Sequence, residues 1–224
     1  MAEVYAFDVN ETLLDVAALD PLFIQLFGQS GVWREWFAQM LQLAFVTTIT
    51  GDYTDFGRLG DAALDMIAAR RGAALRPENL ASLPGEMQRL PAHPEVPLAL
   101  TRLRDAGLRL VALTNSTQEV AEAQLRNAGL RDMFEHVFSA DTVLRLKPAP
   151  ESYHLVASEM SVTPGEVTLI AAHAWDIAGA ASAGLQTAFV SRPGMIAYPI
   201  GPAPTIAGRD LAEIAQRILS AHGA

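Results

Sequence analysis

Five short apolar runs constrain this chain most: Val4–Val9, Leu108–Leu113, His136–Ser139, Val167–Ala171 and Thr187–Val190. They are rich in Val, Leu, Ile and Phe and do not alternate with polar residues, as expected of strands covered on both faces. Helical patterns separate them. Val96, Leu100, Leu103 and Ala106 form one stripe, with Gly107 where a helix would end. Val120, Gln124, Leu125 and Ala128 form a second before Gly129, and Leu211, Ile214, Ala215, Ile218 and Leu219 a third. Strand and helix in alternation predict an α/β fold, a doubly wound parallel sheet with right-handed crossovers.

Between about residues 16 and 90 the rhythm breaks. Trp33, Trp36, Phe37, Met40, Leu41 and Ala44 share one helical stripe, Leu59, Ala63, Met66 and Ile67 another, and no strand pattern stands among them. This segment is expected to form a helical cap (16–90) inserted after the first strand of a Rossmann-like core made of residues 1–15 and 91–224.

Composition removes several function classes. With 16 Lys+Arg against 25 Asp+Glu the net charge is −9, which disfavours nucleic acid, because that binding needs clustered cations. No apolar run approaches the ~20 residues that span a bilayer, so no membrane partner is expected. The opening residues lack a basic segment and an apolar signal core, and a cytoplasmic location is expected. Cys is absent, which excludes disulfides, thiolate metal sites and a cysteine nucleophile.

Ligands of open parallel sheets bind beyond the carboxyl ends of the strands. Polar residues follow the apolar runs at those ends: Asp8, Asn10 and Thr12 after the first, Thr114-Asn115-Ser116 after the second, Lys147-Pro148 after the third, and His173-Ala174-Trp175-Asp176 after the fourth. Asp8 is the candidate nucleophile, with Lys147 expected to keep it ionised. Ser116-x-x-Glu119 reads as a capping box, which would turn backbone N–H groups toward an anionic ligand.

The order Asp8-x-Asn10-x-Thr12-Leu13, Thr114-Asn115, Lys147-Pro148 and Asp176 resembles the four motifs of the haloacid dehalogenase superfamily across nearly the whole chain. Trp33-Arg34, Tyr53-x-x-Phe56, Lys147-Pro-x-x-x-x-Tyr153 and Ala174-Trp175-Asp176 further resemble its type II 2-haloacid dehalogenases. The resemblance implies that Asp8 is esterified, that Asp176 orients or deprotonates the water that cleaves the ester, and that Arg34 helps receive the departing halide. Phosphatases of the superfamily carry a second Asp where this chain has Asn10, and an amide cannot donate that proton. A halide leaving group needs none.

Metal-dependent members also place acidic residues both before and at the position of Asp176. Here His173 and Trp175 stand in that segment, so neither a metal nor any other cofactor is expected. Thr114 and Asn115 are expected to anchor the substrate carboxylate, Trp175 and Phe56 to wall off the halogen, and Tyr153 to hydrogen-bond near Lys147. His173 departs from the family's usual Asn. It is expected to donate a hydrogen bond or to assist as a base with a near-neutral pKa, and its bulk should favour small substrates. The implied activity is hydrolysis of short 2-haloalkanoic acids to 2-hydroxyacids. A magnesium-dependent phosphatase or phosphonate hydrolase, or a non-catalytic binder of small anions, are the alternatives. The apolar cap helices leave a homodimer open.

Overall fold

The computed structural model describes residues 4–75 and 82–223. Residues 1–3 and 224 of the expected core and 76–81 of the expected cap lie outside them. The expected strands form at the apolar runs: β1 Val4–Phe7, β2 Arg109–Thr114, β3 His136–Ser139, β4 Val167–Ala171 and β5 Gln186–Val190. A sixth that the sequence pattern did not reveal, β6 Ile206–Gly208, extends the sheet beyond β5. The pairs are parallel and the order is β3-β2-β1-β4-β5-β6. The chain moves outward from β1 in both directions, so a crevice opens at the carboxyl end of β1, between β2 and β4.

Helices cover both faces: α1 Asp20–Phe27, α2 Val32–Thr50, α3 Phe56–Arg71, α4 Leu83–Gln88, α5 Val96–Asp105, α6 Gln118–Asn127, α7 Pro150–Glu159, α8 Ala174–Ser182 and α9 Leu211–His222. Gly107 and Gly129 follow α5 and α6 with φ of 79° and 69°, the left-handed geometry that ends a helix without a Cβ penalty. The expected capping box does not form. Helix α6 starts at Gln118 behind Thr117, with no side-chain capping bond, because Ser116 is drawn into another network. Among the described residues no helix is long and apolar enough to cross a membrane.

Helices α1 to α4 lie between β1 and α5 in sequence. Trp36, Phe37 and Met40 of α2 pack with Leu59, Ala63 and Ile67 of α3 in one apolar core continuous with Phe7, Val9 and Leu13. The Trp36 indole N–H donates to Gly60 O at 2.8 Å, which fixes α2 against α3. The chain leaves toward these helices and returns along adjacent antiparallel paths: Asp15 N–H donates to Pro91 O at 2.8 Å, and His93 N–H to Leu13 O at 2.9 Å. The helical segment therefore stands over the crevice at the end of β1.

Candidate active site

The loop after β1 is built to hold one carboxylate. The Asp8 N–H continues the sheet ladder to Ile170 O (3.0 Å), which fixes its backbone. The Thr12 hydroxyl donates to Asp8 Oδ2 at 2.7 Å and accepts the Ala172 N–H at 2.9 Å. Arg192, at the end of β5, donates from Nε and Nη2 to Thr12 O (3.2 and 2.8 Å) and pairs with Glu95. Within this loop Glu11 has φ of 62°, a left-handed conformation uncommon for a non-glycine residue and one that marks functional turns.

Lys147 is the hub. Its ammonium is 1% exposed and donates to Asp8 Oδ1 (2.8 Å), Asp176 Oδ2 (2.6 Å) and Leu113 O (3.2 Å), so all three of its protons are taken. The side-chain amide of Asn115 clamps the Lys147 backbone, accepting its N–H at 2.8 Å and donating to its carbonyl at 3.4 Å. Asp176, near the start of α8, is fully buried, and its second oxygen accepts the Tyr153 hydroxyl at 2.6 Å. Both Asp176 oxygens are thus committed. Gly179 permits this packing, since a Cβ there would stand 2.5 Å from both the Tyr153 hydroxyl and Pro148 Cβ.

His173 faces Asp8 from the turn between β4 and α8. Its Nε2 lies 2.7 Å from Glu11 Oε2, and its Nδ1 lies 3.4 Å from Asp8 Oδ2, within ion-pair reach but without hydrogen-bond alignment. The rings of Phe37 and Trp175 flank the imidazole at 6.0 and 5.3 Å.

Burial pushes the Asp8 carboxyl up, but the charge of Lys147 and the proximity of His173 outweigh it and hold Asp8 well below the usual carboxylate range. Asp176 has Lys147 but no second cation. Burial, with the Asp8 charge beside it, therefore leaves it raised. Burial would lower both cations. The carboxylates of Asp176 and Asp8 instead raise Lys147, while Asp8 and Glu11 raise His173 to about 9. His173 was expected to titrate near neutrality; two carboxylates against one buried ring make it an imidazolium there.

This gives stability a pH dependence. The stabilisation from His173 is complete below its ordinary value of 6.5 and is withdrawn as pH rises through about 9. The loss should be of order 3 kcal/mol. Thermal melting should therefore fall between about pH 6 and pH 9.5, and His173→Asn should flatten that fall. An equally steep fall in the variant would contradict the assignment.

A second network fixes Asn10. Its Nδ2 donates to Ser116 Oγ at 3.2 Å, and its Oδ1 accepts from Gln124 Nε2 at 3.0 Å. Gln124 also donates to Met87 O at 2.9 Å, so the amide orientation is tied to α4. The Ser116 N–H is occupied by Thr114 Oγ1 (3.1 Å) and does not point at a ligand, contrary to the capping-box expectation.

The groups converge on a cavity of only about 10 Å³, room for about one water, lined by Asp8, Asn10, Thr114, Asn115, Lys147 and His173 with Phe37, Leu41, Phe56 and Trp175. Arg34 is not among them. It is exposed, stacks 4.4 Å above the Trp33 ring, and lines an outer cleft of about 310 Å³ on the far side of Phe37 and His173. Its guanidinium lies over its own neighbour's ring, outside the reaction cavity.

The family model of haloacid dehalogenase-like hydrolases matches residues 2–184. The chain belongs to this family. The haloacetate dehalogenase H-2 of a Moraxella strain is 30% identical over 90% of this chain and 91% of its own. An (S)-2-haloacid dehalogenase of a Pseudomonas strain is 28% identical over 91% of each. The structure of an L-2-haloacid dehalogenase from Xanthobacter autotrophicus, with chloropropionic acid covalently bound, superposes with a TM-score of 0.91 at 25% identity over the whole of both chains.

Some haloacid dehalogenase-like hydrolases bind magnesium, and the residues here do not fit such an ion. Both Asp176 oxygens and one Asp8 oxygen are held by Lys147 and Tyr153, and the Asp8 side is flanked by an ammonium and an imidazolium. A divalent cation would meet two positive groups and too few free oxygens. Three contributors escaped sequence reasoning. Glu11 is one acid in a polar loop and carried no motif signal, Arg192 lies 180 residues from the loop it holds, and Gln124 was counted in an apolar helical stripe although it is a buried hydrogen-bonder.

Proposed function

We propose that this chain hydrolyses short 2-haloalkanoic acids, haloacetates and (S)-2-haloacids, to 2-hydroxyacids through an ester on Asp8. The observation that carries the reading is an ionised Asp8 in a cavity with room for about one water, facing an Asn10 amide that cannot protonate a leaving group. Lys147 keeps Asp8 charged while water is excluded. Asp176 and Tyr153 hold Lys147, and Thr12 orients the carboxylate.

In the first step an Asp8 oxygen bonds to C2, and the carbon–halogen pair leaves with halide. The indole N–H of Trp175, buried and without a partner among the described residues, is the donor available to it, inside an apolar wall of Phe37, Leu41 and Phe56. The substrate carboxylate rests on the Thr114–Asn115 loop. Esterification removes the charge of Asp8, so His173 loses one of the two anions that raise its pKa. It can then release its Nδ1 proton to solvent, the one proton that the net reaction liberates, and accept one from the attacking water, whose other proton ends on the departing hydroxyacid oxygen, with Glu11 fixing the ring. Water attacks the acyl carbon, Asp8 is restored, and C2 has been inverted once. Asp176, with both oxygens engaged, is here a holder of Lys147 rather than the water's base.

Halide release from chloro-, bromo- and fluoroacetate and from (S)-2-chloropropionate, with and without EDTA, tests the reading. Release is expected from at least the chloro and bromo acids and is expected to be indifferent to EDTA. No release, or magnesium-dependent phosphate release from an ester, would overturn it. His173→Asn and Glu11→Gln should slow ester hydrolysis more than ester formation, by roughly 10²-fold for His173. The ester should then accumulate as an initial halide burst, and a burst-free loss of rate would contradict the role of the pair.

A further inference from the structure

We infer that Phe56 is the partition that sets substrate chain length, and that the largely apolar cleft behind it is an alkyl subsite for longer 2-haloalkanoates. The inference rests on the proposed dehalogenase reading. Phe56 is the first residue of α3, buried, and fixed there by the Asp55 cap, whose side chain accepts the Arg58 N–H at 3.0 Å. It lines two spaces at once. On one side is the 10 Å³ reaction cavity; on the other is a cavity of about 140 Å³ between α2, α3, α4 and α6.

That second cavity is walled chiefly by Trp36, Met40, Leu83, Met87 and Val120. Gly60, one turn beyond Phe56, keeps it open: a Cβ there would stand 3.2 Å from Met40 Sδ and 3.4 Å from Trp36 Cζ2. The cavity's lining is mostly apolar, with Asp55, Asp61, Ser116 and Thr117 completing it. The space also reaches Ser116 and Thr117, directly after the Thr114–Asn115 loop assigned to the substrate carboxylate. An alkyl group on C2 is held beside that carboxylate, and on this side, among the described residues, the Phe56 ring alone is shared between the reaction cavity and the apolar cleft.

With Phe56 in place, the reaction cavity of about 10 Å³ offers no room for a longer alkyl chain. Without the ring the two volumes join, and each methylene entering the apolar part should raise kcat/KM about fourfold. The experiment measures halide release from 2-bromohexanoate and bromoacetate by wild type, Phe56→Leu, Phe56→Ala and the double variant Phe56→Leu/Val120→Phe. The ratio of kcat/KM for hexanoate over acetate should rise at least about tenfold in Phe56→Leu. It should rise further in Phe56→Ala, and Val120→Phe, which fills the far cavity, should return it to the wild-type value.

Phe56→Leu keeps most of the apolar volume and carries the test should Phe56→Ala fold poorly. An unchanged ratio, or a rise that Val120→Phe does not reverse, overturns the inference while bromoacetate turnover leaves the dehalogenase reading standing. Absence of halide release from both acids in the wild type removes that reading, and the subsite with it.

Discussion

Asp8→Asn should leave a folded protein with haloacid turnover reduced about 10⁴-fold or more. The amide is nearly the same size, and the Asp8 backbone N–H to Ile170 O is untouched. Its carbonyl can still accept from Lys147 or Thr12, and Lys147 keeps Asp176 as a charged partner. What disappears is the negative oxygen that forms the ester. The variant should still bind a 2-haloacid, and His173, having lost one of its anions, should titrate below the wild-type value of about 9. Residual turnover within tenfold of wild type would mean that another group attacks the substrate, or that water attacks it directly.

Lys147→Met should be the most damaging substitution for stability and should abolish activity as well. Removing one partner of a buried ion pair costs about 3–5 kcal/mol, because the remaining charge is left uncompensated. Here two carboxylates would remain, Asp176 fully buried and Asp8 nearly so, both formerly bonded to the same ammonium. For a chain of this length that corresponds to a fall in melting temperature of roughly 10 °C. The pH profile gives the cause away. With Lys147 gone, the folded-state pKa of a carboxylate rises above its unfolded value. Stability is then greatest in acid and declines as pH rises through the raised value. A thermal shift independent of pH would attribute the loss to packing alone.

The sheet was legible because its strands are unbroken apolar runs with helical stripes between them. Strand β6 was not: Ile206–Gly208 has three residues, follows Pro202 and Pro204, and is set by pairing with β5 rather than by its own pattern. Asp8, Thr12, Lys147 and Asp176 were legible because the strand ends deliver them to one place. Their division of labour was not. That Asp176 is closed off by Tyr153, that Asn115 clamps the Lys147 backbone, and that Ser116 serves Asn10 instead of capping α6 are contacts between residues far apart in the chain.

Glu11 illustrates the limit best. In the sequence it is one acid in a polar loop. Only the left-handed turn at that residue and the placement of β4 beside β1 bring it to His173 and make the histidine a cation. The same pairing moves the histidine away from the neutral range expected of an isolated ring. The position of Arg34 over Trp33, outside the reaction cavity, likewise depends on a side-chain direction that a motif match does not carry.

The central claim is that Asp8 is transiently esterified. Its most direct test is mass analysis of the Asp8 peptide after turnover of bromoacetate in H₂¹⁸O. With enzyme in excess, hydrolysis of an ester at its acyl carbon places heavy oxygen on Asp8, while the first hydroxyacid formed carries none. Under many turnovers both Asp8 oxygens become labelled, and label then appears in the product. Heavy oxygen in the first product, with an unlabelled Asp8 peptide, would show that water displaces the halide directly and would contradict the account.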